Sequence, residues 1–208
     1  MKDNNYSYDN IMLKGIIITV CSIFVGVIIF VGAIRLWVIS PYDSIVNAKQ
    51  NVKLAEANVE NMLQNRLTLI PDLVKVVEKY SDHEEQVFAD IADARQNLMN
   101  SIDSGDLAKM SEADQNLSVA INNLLAYAEQ YPTLTAGTQY TALMDSIAES
   151  VNRITIARTE YNEAVATYNK KITTFRGAIL AKIFGFEEFD EYKADKAAYD
   201  SSMVEFSK

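Results

Sequence analysis

One cysteine, one histidine, three prolines and seven glycines among 208 residues exclude more than they suggest. An internal disulfide needs two thiols and a thiolate metal centre needs several, so Cys21 can supply neither. The lone histidine, His83, is followed by Glu84 and Glu85, which invites a metal or acid/base reading. That reading fails on spacing. A zinc peptidase helix requires a second histidine four residues on, and Val87 stands there. A di-iron bundle requires Glu-x-x-His from each of two helices, and Tyr80 occupies the position three before His83. No glycine-flanked serine elbow is present. The expectation is therefore no catalytic residue, no metal and no cofactor, with His83 serving as packing at a helix start. The scarcity of glycine and proline beside long runs of Ala, Leu, Ile, Gln, Glu and Lys predicts an all-α protein. A net charge of −9 repels a phosphate backbone, which excludes nucleic acid as a partner.

Charge is missing altogether from one stretch. Between Lys14 and Arg35 lie twenty uncharged residues, GIIITVCSIFVGVIIFVGAI. As a helix they span about 30 Å, the thickness of a bilayer's hydrocarbon core. Thr19, Cys21 and Ser22 can satisfy their polar groups within the helix. Trp37 and Tyr42 follow at headgroup depth, and Lys14 and Arg35 bracket the run. A single transmembrane helix over residues 15–39 is predicted, after a short N-terminal tail over 1–14. The rival is a cleaved signal peptide, since Val31 and Ala33 are spaced like the small residues before a cleavage site. Against it stand the length of the run and the acidic Asp3 and Asp9 before it. Lys2 and Lys14 on one side, against Arg35, Lys49 and Lys53 on the other, are too even to decide which face of the membrane carries the remainder.

Beyond the apolar run the hydrophobic residues recur at helical spacing. Ile45, Val52, Val59, Leu63, Leu67, Ile70, Val74, Val77 and Tyr80 form one stripe, interrupted in sequence by Pro71 but not in period. A kinked single helix is preferred there to a turn near Thr68. Ser81 and Glu84 have the spacing of a capping box opening a second helix, which carries Val87, Ile91, Leu98 and Ile102 and stops near Gly105. A third runs through Leu107, Met110, Leu117, Ile121, Leu124 and Tyr131 to Pro132. The fourth runs through Tyr140, Leu143, Ile147, Val151, Ile154, Tyr161, Val165, Tyr168 and Ile172. Short connections predict an antiparallel up-and-down four-helix bundle over residues 42–175, with a C-terminal amphipathic segment and tail over 176–208.

The motif RLTLIPDLV, then Tyr80, His83-Glu84, Ala94-Arg95, Tyr131-Pro132, Ala157-Arg158, Tyr161-Asn162, Gly185-Phe186 and Val204-Glu205-Phe206, resembles the LemA family from Tyr42 to the C-terminus. Three positions depart from its pattern: Arg176 where a proline commonly follows the phenylalanine, Val151 in place of a glutamate, and Ser202 where a proline is expected. The resemblance implies a bacterial single-pass membrane protein with an antiparallel helical bundle and no assigned enzymatic chemistry, in a family linked to membrane and organelle organisation.

Some charges lie on the apolar stripes. Arg66 falls between Leu63 and Ile70, Arg95 between Ile91 and Leu98, and Arg158 between Ile154 and Tyr161, while Glu84 and Asp114 face the core by the same count. A buried unpaired charge is costly, so each arginine must either reach water along its stem or meet a carboxylate. The sharper of these readings is a structural polar layer pairing an arginine with Glu84 or Asp114 and fixing helix register. A ligand site between helices is a third.

A second charge feature is local. No acid occurs between Glu163 and Glu187, while Lys170, Lys171, Arg176 and Lys182 supply four cations. Phe175, Ile179, Ile183 and Phe186 recur there at helical spacing, which predicts a short amphipathic helix on the membrane surface. The alternative is that the lysines complement a helix dipole and the apolar face folds onto the bundle. The expected function is a non-enzymatic membrane-anchored scaffold or adaptor whose partners are the lipid bilayer and other membrane or envelope proteins, with self-association left open. The competing function is a ligand-sensing bundle with a pocket lined by the stripe arginines.

Overall fold

The computed structural model describes residues 3–80 and 85–192, with side chains from Lys14 onward. Every regular element among them is helical: α1 (Asp3–Ile34), a π-helical turn (Arg35–Ile39), α2 (Ser40–Glu78), α3 (Glu85–Ser104), α4 (Leu107–Ala128), α5 (Pro132–Thr135), α6 (Thr138–Thr173) and α7 (Phe175–Phe184). The helix begins at Asp3, ahead of the apolar run that starts at Gly15. From Lys14 to Trp37 every residue is exposed, so no protein surface covers the apolar side chains of that stretch. It is the one helix among the described residues long and apolar enough to cross a membrane. Thr19 donates to the carbonyls of Gly15 and Ile16, which hides its hydroxyl within the helix.

The described residues fall into two compact units. One comprises the chain up to Lys49 together with Asn169–Glu188, and the other comprises Gln50–Tyr168 together with the residues from Phe189. The boundaries thus lie inside α2 and α6, several residues within the limits of 42 and 175 expected for the bundle.

In the second unit the helices converge on one apolar core. Val52, Val59, Leu63 and Leu73 of α2, Leu98 of α3, Leu117 and Leu124 of α4 and Val165 and Tyr168 of α6 are fully buried. Each large aliphatic residue buried in this way contributes about 1.5–3 kcal/mol. The stripes read from sequence err in two places. Val151 and Tyr80 are exposed, whereas Leu73 and Val76 take core positions beyond Pro71. The expected Ser81–Glu84 capping box lies outside the described residues.

Local signals explain the helix ends. Gly105 adopts a left-handed conformation at φ +65°, and Asp106 then caps α4 by accepting from the backbone N–H groups of Ala108 and Lys109. Pro132 opens the single turn of α5 at a position where its missing N–H is not needed. Asn58 donates to Glu160, and Arg66 and Arg158 meet at one residue of α4, so α2 and α6 are linked by side chains both directly and through α4.

Pro71 lies inside α2, which continues to Glu78. A proline has no N–H for the carbonyl four residues back, which here belongs to the buried Leu67. Arg95 of α3 supplies the missing donor: its Nε–H reaches the Leu67 carbonyl at 3.4 Å. This is where the third stripe arginine goes, and it is not in the layer with the other two. Arg95→Met should destabilise the protein by about 1 kcal/mol by orphaning that carbonyl. In a Pro71→Ala background the helix supplies its own donor and the cost should shrink, a coupling that a double-mutant cycle of unfolding midpoints measures.

Candidate functional site: a buried ion triad and a clamped segment

Asp114 of α4 is the centre of the polar layer. One carboxylate oxygen accepts from Arg66 Nη1 at 2.6 Å and the other from Arg158 Nη2 at 2.6 Å. Arg66 and Asp114 are nearly sealed from solvent, while Arg158 keeps about a fifth of its side-chain exposure (4%, 6% and 22%). Ser118, one turn along α4, accepts a further hydrogen bond from Arg66 Nη1 and donates to the backbone carbonyl of Asp114. Two cations on one anion leave a surplus positive charge. The ring of Tyr192 lies over the Arg158 guanidinium at 4.5 Å, placing its electron-rich face where that charge is. Of the five residues expected in the layer, the structure brings together Arg66, Asp114 and Arg158. It places Arg95 on Leu67, and Glu84 lies outside the described residues.

Tyr192 belongs to a segment whose docking has no counterpart in the sequence reading. Residues 186–192 are non-helical, and Tyr192 is buried. Asn162 of α6 clamps the main chain of Tyr192: its Oδ1 accepts from the Tyr192 N–H at 2.7 Å, and its Nδ2 donates to the Tyr192 carbonyl at 3.0 Å. The neighbouring Tyr161 hydroxyl donates to the Asp190 carbonyl at 3.0 Å. Phe189 sets its ring edge-on to Tyr168 at 5.1 Å. Tyr161 was visible as a member of the fourth stripe and Asn162 only as part of a family pattern, and the extended segment has no periodicity to betray it. The Tyr192 hydroxyl stands near Ser111 and Arg158 without a well-formed hydrogen bond.

Burial, and after it the charges of Glu56 and Asp190, pushes the Tyr161 phenol up to about 12 from an ordinary value of 10.0. Glu56 is itself raised, first by burial and then by Glu60. A raised folded-state value means that the unfolded chain releases its proton first. The contribution of Tyr161 is therefore complete below pH 10.0 and is lost as the pH climbs through about 12. Tyr161→Phe should lower stability near neutrality by about 1 kcal/mol and flatten the decline across that alkaline window, read from melting curves of both proteins at stepped pH.

In the other unit, Lys171 donates to Ser44, and with Arg176, Pro41 and Thr174 these residues line an open cavity of about 410 Å³. Tyr42 packs against Phe184 at 4.8 Å and Phe186 at 5.8 Å, and Lys49 lies over the Phe186 ring at 5.8 Å. Lys170, Arg176 and Lys182 are exposed, as are Phe175 and Ile183, while Ile179 and Phe186 are half-buried. The seated face of α7 is instead Gly177 and Leu180. Among the inter-helical cavities, the one of about 260 Å³ between α2 and α3 is lined by Arg95 with Leu67, Thr68 and Met99. Arg66 and Arg158 do not line it.

These features define a membrane-associated, all-helical protein whose buried charges are paired with one another. The chain belongs to the LemA family, whose model matches residues 55–206. It is similar to the magnetosome proteins MamQ 2 and MamQ 1 of Paramagnetospirillum magneticum, at 28% identity over 78% of this chain and 68% of theirs. It is also similar to the magnetosome protein MamQ of Magnetospirillum gryphiswaldense, at 27% identity over the same shares.

Proposed function

We propose that this LemA-family protein is a non-enzymatic scaffold or adaptor of the cell membrane. Its N-terminal helix crosses the bilayer once and carries an antiparallel up-and-down four-helix bundle that engages other membrane or envelope proteins. The observation that carries the reading is the contrast between the exposed, apolar stretch of α1 from Gly15 to Ile34 and a helical part in which buried Arg66 and half-buried Arg158 are held by Asp114 and half-buried Arg95 by the Leu67 carbonyl. Groups paired in this way hold helices in register. Likeness to proteins named for the magnetosome supports a role in organising a membrane compartment.

The basic and apolar edge of α7 then meets the lipid surface, with Phe175 and Ile183 in the headgroup layer and Lys170, Lys171, Arg176 and Lys182 facing anionic lipid. At about 1 kcal/mol per cation this orients the bundle without being needed to attach it. Proximity labelling in the native cell, with the labelling enzyme fused to the C-terminus, should mark a defined set of membrane or envelope proteins. A labelled set identical to that of the same enzyme fused to residues 1–40 alone would remove the scaffold reading.

A further inference from the structure

The segment Phe189–Tyr192 is held as a peptide ligand is held. Its three hydrogen bonds to Tyr161 and Asn162 all go to main-chain groups, so they read an extended backbone whatever its side chains. Selectivity comes from two rings three residues apart: Phe189 against Tyr168, and Tyr192 over Arg158. Between them Asp190 and Glu191 are exposed. Main-chain hydrogen bonds for affinity and spaced side-chain anchors for specificity are the recurring logic of extended-peptide recognition.

The segment is joined to α7 by a short non-helical link, in which Phe186 still packs on Tyr42. Gly185 ends α7 in the left-handed region at φ +69°, a conformation that other residues adopt at a cost, and no helix follows it through Tyr192. The chain passes from one compact unit to the other between Glu188 and Phe189. A second copy offers the identical segment, so every contact made in cis can be made in trans. Copies anchored in one bilayer meet at high effective concentration.

We propose that the groove formed by Arg158, Tyr161, Asn162 and Tyr168 is a receptor for an extended aromatic-acid-acid-aromatic segment, and that neighbouring copies of this protein pair by exchanging Phe189–Tyr192 through it. Such exchange of an identical element is an economical route to a dimer because the interface already exists in the monomer. The inference goes beyond the scaffold reading, which names no partner for this groove. It uses only the membrane anchorage from that reading, and the scaffold role can fail while the pairing stands.

The test uses two differently tagged full-length chains solubilised in neutral detergent. A groove variant, Asn162→Ala, and a segment variant, Phe189→Ala with Tyr192→Ala, should each fail to pair with themselves. Co-expressed, they should pair, because one copy's intact segment meets the other's intact groove. Wild-type pairs should dissolve on adding excess synthetic peptide FEEFDEY, but not the same peptide with alanine in place of both anchor residues. The peptide arm involves no variant of the protein, so it remains decisive if a variant fails to fold. Self-pairing retained by both folded variants, or wild-type copies that never pair, or pairs indifferent to the peptide, would overturn the proposal.

Discussion

Replacing Asp114 with alanine is expected to destabilise the helical domain by about 3–5 kcal/mol, the cost of removing one partner from a buried ion pair. The carboxylate uses both oxygens on two guanidinium groups, and its side chain is 6% exposed. Without it, Arg66 keeps a full charge at 4% exposure with Ser118 as its other side-chain partner. Arg158 can turn partly to water and to the Tyr192 ring, so most of the penalty falls on Arg66. Asp114→Asn keeps the volume and one acceptor and should cost less. The informative companion is Arg66→Met, Asp114→Leu and Arg158→Met together, which exchanges the layer for apolar packing. If the triad serves register and not stability, that triple variant should match or exceed the wild type in denaturant unfolding by about 1–4 kcal/mol. A large loss in the triple variant as well would mean that the layer itself is a net source of stability.

The same residues mark where the fold was legible in the sequence. Helical period placed Arg66, Asp114 and Arg158 on apolar faces, because a charge recurring in register with leucines stands out against them. It could not choose between Glu84 and Asp114, since periodicity gives the face of a helix and not the height along a neighbour. Arg95 carried the same signal with a different cause. Its partner is a carbonyl released by Pro71, and the clue was the four-residue offset from Leu67 to that proline. The stripe also slid past Pro71, trading Val74 and Tyr80 for Leu73 and Val76 as core residues. Asn162 and Phe189–Tyr192 were illegible for another reason. An extended segment bound by side chains thirty residues away leaves no period in its own sequence and only a polar position in its receptor's. Local pattern thus recovered the elements that repeat along a helix and missed the contact made by a stretch that does not.

Changing Gly177 to alanine is expected to unseat α7. A methyl group there would collide with the backbone oxygen of Lys171 and stand 2.8 Å from Thr174 Oγ1. Those atoms close the turn between α6 and α7: Thr174 Oγ1 donates to the Lys171 carbonyl and accepts from the Gly177 N–H. No side-chain rotation relieves a clash with a backbone oxygen, so either the last turn of α6 or the whole of α7 must move. Alanine gains about 1 kcal/mol in helix propensity over glycine. Overpacking at a buried site costs about 1–3 kcal/mol and occasionally more, and contact this short belongs at the top of that range. The net loss should be about 2 kcal/mol and local. Amide exchange should quicken across residues 175–184, and the packing of Tyr42 on Phe184 should loosen. The Arg66–Asp114–Arg158 layer lies in the other compact unit, and exchange there should stay unchanged. If α7 also orients the bundle at the lipid surface, Gly177→Ala should weaken the dependence of that orientation on anionic lipid, although the variant keeps all four cations. Trp37, the single tryptophan of the chain, reports this by its quenching in neutral and anionic vesicles. Unaltered exchange over α7 would mean that the turn has slack the geometry does not reveal, and that the glycine is there for some reason other than close approach.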